Sequence, residues 1–151
     1  MRTSDGFIFS VLQFTTLVIL VGTGKRGSAY TTLLGVFDGH GGATASQFCS
    51  DWISSYIRKD EKFPQNLADS MKSAFVKVDR DFVSSGHLDG TTACVCAIVE
   101  KQKVICCNAG DSRAILVKRD GSFVALSTDH KPDLDSETRR INQLGGRVIH
   151  W

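Results

Sequence analysis

From residue 33 onward the chain alternates short apolar runs with polar punctuation. Leu33-Leu34-Gly35-Val36-Phe37 contains no polar side chain and stops at Asp38-Gly39-His40-Gly41-Gly42, which predicts a buried strand ending in a glycine-rich turn. Beyond it, Ala45, Phe48, Cys49, Trp52, Ile53, Tyr56 and Ile57 recur at steps of three and one, the signature of one helical face. Leu67, Met71, Ala74, Phe75, Val78 and Phe82 repeat that pattern after Pro64. Two amphipathic helices follow, over about residues 43–59 and 65–84. The remainder reads as strands at 91–99, 104–109, 113–118 and 122–126, with Asp120-Gly121 as a hairpin turn, and the four are expected to neighbour one another as antiparallel strands. A tight turn centred on Lys101-Gln102 would set Cys96 opposite Cys107. After Pro132, Asp135 or Ser136 can cap a short helix carrying Ile141 and Leu144, with Gly145-Gly146 ending it and residues 147–151 beginning another strand. This order of elements implies an α+β fold, a layered sandwich of antiparallel β-sheets flanked by helices.

The segment ahead of this pattern is different in kind. Gly6 to Gly24 carries no charge and is rich in β-branched and aromatic residues, diluted by Ser10, Gln13, Thr15 and Thr16. Buried strands are the first reading; a signal peptide or membrane anchor over residues 6–24, and a segment without a native structural role, are the alternatives. Gly22-Thr23-Gly24-Lys25-Arg26 is not a phosphate loop, because Ile19 stands where that motif needs its first glycine and Arg26 where it needs Ser or Thr. A solvated turn is expected instead.

Composition narrows the function. A chain of 151 residues with 42% hydrophobic and 23% charged residues is one globular domain and not a disordered chain. A net charge of +2 with a pI near 8.3 lies below the basic excess, pI above ~9, of a dedicated nucleic-acid binder, so no nucleic-acid partner is expected. The five cysteines are odd in number and lack CxxC spacing, which argues for reduced, buried thiols rather than a disulfide framework or a zinc finger.

The densest cluster of chemistry is Asp38-Gly39-His40-Gly41-Gly42. Its glycines let the backbone turn sharply and bring carbonyl oxygens near a ligand, Asp38 offers a hard carboxylate suited to Mg or Mn, and His40 can carry a proton near neutral pH. The same residues also fit a turn whose Asp38 merely caps the following helix. Asp111, in Asn108-Ala109-Gly110-Asp111-Ser112-Arg113, lies at a strand end and by itself marks a hairpin turn. His130 reads as a turn residue before it reads as a ligand, and His87 and His150 have no partner spacing. Arg113 and Lys118-Arg119 suit either phosphate recognition or a solvated strand end and hairpin tip.

Taken together and in order, Phe37-Asp38-Gly39-His40-Gly41-Gly42, Asp89-Gly90-Thr91-Thr92-Ala93, Asn108-Ala109-Gly110-Asp111-Ser112-Arg113-Ala114, Asp129-His130-Lys131-Pro132, and Glu137 with Arg140-Ile141 and Gly145-Gly146 resemble the motifs of the metal-dependent type 2C protein serine/threonine phosphatases. The resemblance covers about residues 33–151, the first half of the usual catalytic domain, and leaves residues 1–32 as a divergent apolar segment. It implies two antiparallel sheets between helices, with a binuclear Mg or Mn site at one edge. By that resemblance Asp38 bridges both metals, the Gly39 carbonyl binds one, Asp111 helps hold an additional metal, and His40 is the general acid. Phosphorylated proteins would be the substrates, and the compartment cytoplasmic or nuclear.

Two departures qualify this expectation. Family members carry an Arg that grips phosphate, with an adjacent Met-Glu-Asp run, ahead of the first matched strand, and further metal-binding aspartates after the matched part. Residues 1–32 contain no such run, and Asp5 is their one acidic residue. An incomplete sandwich with an open sheet edge, and a catalytically dead phosphatase-like module that binds phosphoproteins or partner enzymes, are therefore the alternative expectations.

Overall fold

The computed structural model describes residues 17–26 and 29–149, with side-chain burial from residue 31 to residue 149. Its elements are β1 (Leu17–Arg26), β2 (Ala29–His40), α1 (Thr44–Lys59), α2 (Leu67–Val83), β3 (Gly90–Thr91), β4 (Ala93–Val99), β5 (Lys103–Ala109), β6 (Ile115–Val117), β7 (Phe123–Ala125) and α3 (Asp135–Gln143). A five-stranded antiparallel sheet runs in the order β1-β2-β4-β5, with β3 added to the end of β2, and β6-β7 form a separate two-stranded sheet. The fold is α+β, as the pattern of the sequence implies. Residues 17–24 of the uncharged N-terminal run are β-strand, in agreement with the strand reading, and the strand continues to Arg26, so the turn expected at Gly22 to Arg26 is strand instead, paired with residues 29–33; residues 6–16 of that run lie outside the described residues. Among the described residues no helix is long and apolar enough to cross a membrane.

The core follows from two periodicities meeting. Alternate residues of a strand face opposite sides, so Leu33 and Phe37 of β2 and Val95 and Ala97 of β4 share one face, and against it lie Ile53 and Ile57 of α1 and Met71, Ala74 and Val78 of α2. Leu34, Val36 and Asp38 stand on the opposite face together with Cys94, Cys96 and Cys106, where Ala114 and Leu126 beside the β6-β7 hairpin supply cover.

Several expectations are corrected. The four C-terminal strands do not form one run: β4 and β5 belong to the large sheet and β6 and β7 pair only with each other. The β4-β5 connection spans Glu100 to Gln102 and is centred on Lys101, with Glu100 and Lys101 at positive φ (50° and 60°), so the pairing shifts by one residue from the expected one: Cys96 faces Cys106, and Val95 faces Cys107. All five cysteines are free. The thiols of Cys49, Cys94, Cys106 and Cys107 are hard to ionise: burial, then Asp79, pushes Cys49 up to about 11. For Cys106 the hydrogen bond with Cys94 acts downward but is outweighed by the one with Cys96 and by burial, which leave it at about 12. Helix α3 starts after Leu134 without a side-chain cap, rather than on Asp135 or Ser136, although Gly145 (φ +81°) does end it. Residues 147–149 form no strand, and residues 150–151 lie outside the described residues.

Candidate metal and phosphate site

Asp38, Gly39 and His40 are the last three residues of strand β2, so the strand runs past the predicted stop at Phe37 and the sharp turn begins at Gly41 (φ +72°). The register explains why this end is held: β2 pairs with β4 up to Val36 opposite Cys94, and with the short β3 at Gly39 opposite Thr91 and His40 opposite Gly90. Beneath them Phe37 is fully buried. By strand alternation Asp38 stands on the face turned away from α1 and α2.

Close contacts explain the glycines here. A Cβ on Gly90 would lie 2.5 Å from His40 Nε2, so the bare glycine leaves room for the imidazole to lie against the backbone of β3. A Cβ on Gly39 would lie 2.8 Å from the Gly42 carbonyl oxygen and 2.9 Å from Ser46 Oγ, which makes Gly39 the place where strand and turn approach most closely. The imidazole of His40 is exposed to solvent.

The first turn of α1 takes its cap from far away in sequence. Residue Ala43 at the N-cap makes no side-chain cap bond; instead Ala45 N–H donates to Asp89 Oδ2 at 2.8 Å, across 44 residues. Asp89 is held below the usual carboxylate range first by this amide, with the Thr44 amide and His87 adding to the effect. The capping task that one reading of the sequence assigned to Asp38 is thus filled by Asp89. The sequence signal, Asp89-Gly90 ahead of a strand, gives no hint of the helix it serves.

Asp111 lies, exposed, in the turn after β5. Polar links hold that turn: Asn108 Nδ2 donates to the carbonyls of Gly110 at 3.0 Å and Thr128 at 2.9 Å, and His130 N–H donates to the Gly110 carbonyl at 2.9 Å. Arg113 is engaged by Asp129 through two hydrogen bonds of 2.9 and 2.7 Å. That pairing holds the Asp129 carboxyl below its ordinary range and leaves the Arg113 guanidinium a salt-bridge partner rather than an open phosphate clamp. Glu137 and Arg140 pair likewise, at 2.7 Å, one turn apart on α3. With His130 and Gly110 they line an open pocket of about 570 Å³. His87 stacks on Phe82 with ring centroids 5.7 Å apart.

The donors fit a hydrated hard cation in type. Mg characteristically keeps several waters and binds through one or two carboxylates, and Asp38, the Gly39 carbonyl and Asp111 are all hard oxygen donors. They fall short of a closed cage, because among the described residues no three His, Cys, Asp or Glu side chains come together as a metal-holding group.

An antiparallel sheet with α1 and α2 packed on one face gives the molecule an α+β layered architecture. The protein phosphatase 2C family model matches residues 14–151, and the chain belongs to that family. It is 42% identical over 135 residues to "Probable protein phosphatase 2C 27" of Arabidopsis thaliana, a match that takes in 87% of this chain and 35% of that protein. To "Probable protein phosphatase 2C 57" of Oryza sativa it is 40% identical over 119 residues, 76% of this chain and 32% of that protein. The chain therefore spans about a third of the length of these curated relatives. A solved phosphatase from Toxoplasma gondii shares the fold with a TM-score of 0.67 at 22% identity, over 97% of this chain and 60% of that one.

Proposed function

We propose that this chain carries part of the catalytic apparatus of a metal-dependent protein serine/threonine phosphatase, which hydrolyses phosphoserine and phosphothreonine monoesters. The observation that carries the reading is the placement of Asp38, Gly39 and His40 on the last residues of a strand that pairs with β1 on one side and with β4 and β3 in turn on the other, in a member of the protein phosphatase 2C family. A phosphate monoester dianion repels anionic nucleophiles and must expel a strongly basic alkoxide, so the reaction needs charge neutralisation on one side and a proton on the other. Asp38 through its carboxylate and Gly39 through its carbonyl would hold a Mg or Mn ion, with Asp111 helping to hold an additional one. When bound, such ions lower the pKa of coordinated water and neutralise phosphoryl charge. His40, lying against Gly90 and open to solvent, would give its proton to the departing serine or threonine oxygen, a contribution worth ~10²- to 10⁴-fold.

Phosphorylated proteins are the partners this reading calls for. The test is phosphate release from a phosphothreonine peptide by the purified chain in Mn or Mg. Release that stops on chelation and in Asp38→Asn supports the reading. Absence of any metal-dependent release at high protein concentration favours the second reading, a phosphatase-like module that binds phosphoproteins without turnover. That second reading is favoured by one specific observation, the lack of a three-ligand acidic cluster among the described residues.

A further inference from the structure

Between Cys94, the last β4 partner of β2, and Thr91, the first β3 partner, the regular ladder is interrupted at Thr92. The carbonyl of Thr92 accepts from the Thr91 hydroxyl at 2.8 Å instead of from the neighbouring strand. Asp38 N–H is satisfied by the Thr92 side chain, donating to Oγ1 at 3.1 Å, while Thr92 N–H donates to the Asp38 carbonyl at 2.9 Å. Both backbone groups of Asp38 are therefore held by this one residue. Its Oγ1, which accepts from Asp38, also lies 2.6 Å from Ser112 Oγ, a hydrogen bond that either hydroxyl can donate. Ser112 follows Asp111 directly. On the same flank Gly110, at φ +96°, makes room for the Thr92 methyl, because a Cβ there would come within 2.7 Å of Cγ2.

We propose that Thr92 is a positioning residue that fixes the backbone of Asp38 at both its amide and its carbonyl and, through the Ser112 hydroxyl, ties the Asp111 turn to it. The inference deepens the proposed phosphatase reading and rests on it: the spacing of the two acidic turns is set by the hydroxyl pair of Thr92, between β3 and β4, and Ser112, just beyond β5. Outer groups that orient metal ligands commonly govern metal affinity by 10- to 100-fold, so the hydroxyl of Thr92 matters although it touches no ion itself.

The test compares the full chain with Thr92→Val, which keeps the β-branched shape and removes the hydroxyl, Thr92→Ser, which keeps the hydroxyl, Ser112→Ala and Asp38→Asn. Mn is titrated calorimetrically into each, and amide hydrogen exchange is read at Asp38 and Ser112, with melting curves to establish that each variant is folded. Expected are an Mn affinity weakened at least about tenfold in Thr92→Val, restored to within a few-fold in Thr92→Ser, and faster exchange at Asp38 only where the hydroxyl is missing. Should Thr92→Val bind Mn and exchange like the native chain while Asp38→Asn loses binding, this proposal falls and the phosphatase reading stands. Should the native chain take up no Mn, that reading falls, and the exchange data alone decide the clamp: acceleration at Asp38 in Thr92→Val supports it and unchanged exchange overturns it. If Thr92→Val does not fold, Ser112→Ala, which removes the link from Thr92 to the Asp111 turn, carries the test, and native Mn affinity in it overturns the proposal.

Discussion

Residues 31–109 and residues 110–149 hold their shares of the candidate site by different means. In the first region Phe37, Ile53, Met71 and Val95 are almost completely enclosed between the sheet and α1 and α2, and Asp38 is the next residue along the strand from Phe37. In the second, Ala114 is the one buried apolar residue described, α3 buries nothing, and every residue of β7 is exposed. There the Asp111 turn is fixed by the Thr92-Ser112 contact, Asn108, His130 and the Arg113-Asp129 pair, polar contacts of which the exposed ones are individually weak. One acidic turn is thus seated on close-packed apolar side chains and the other on a lattice of hydrogen bonds. The strand that carries Asp38 is seated on the core, with Thr92 holding the backbone of Asp38 at its end, whereas precision at Asp111 depends on contacts that water, salt and acid can each weaken.

Matched truncations test that contrast most strongly. Phe37→Ala should destabilise the chain by about 3–5 kcal/mol, the range for deleting a buried aromatic, while Phe123→Ala, at a residue 67% exposed, should stay within about 0.5 kcal/mol. Urea unfolding of both variants provides the measurement, and comparable losses would break the comparison. A smaller and more local effect is expected at Gly90. Its φ is not in the left-handed region, so Gly90→Ala should fold, yet the added Cβ must displace the His40 imidazole. Phosphate release should then fall by about 10²-fold, the lower end for loss of a general acid, with Mn affinity unchanged by calorimetry; an undiminished rate would remove His40 from the proton-transfer role.

The mildest test uses pH. Hydrogen bonds from Arg113 and its charge depress the Asp129 carboxyl, so its contribution is fully present above the unfolded value near ~3.9 and is lost as pH falls through the lower folded value. Urea midpoints taken downward from pH 5 should therefore decline below about pH 4 more steeply in the native chain than in Arg113→Met, where the largest cause of the depression is gone. Parallel declines would show that the pair does not hold the second region.

These two regions also differ in how far the sequence announces them. Helices α1 and α2 are legible because their apolar faces repeat at helical spacing, and β2 because an uninterrupted apolar run ends in glycines. The β4-β5 register is not, since the turn that sets it uses Glu100 and Lys101 at positive φ, residues that carry no turn signal of their own. Separation of β6-β7 from the main sheet depends on tertiary pairing that short apolar runs do not encode. Around the site, Asp38, Gly39 and His40 stand out by composition, but Asp89 and Thr92 act across 44 and 54 residues, and their tasks emerge only once β3 lies beside β2.

Paramagnetic broadening of amide resonances by substoichiometric Mn reports where on the chain the ion sits. Signals of Asp38, Gly39 and His40 should be lost first and those around Asp111 next, while those of Asp60 and Glu137, whose carboxylates are paired with Lys77 and Arg140, should remain sharp. Broadening centred on any other acidic residue, or none at all, would contradict that placement.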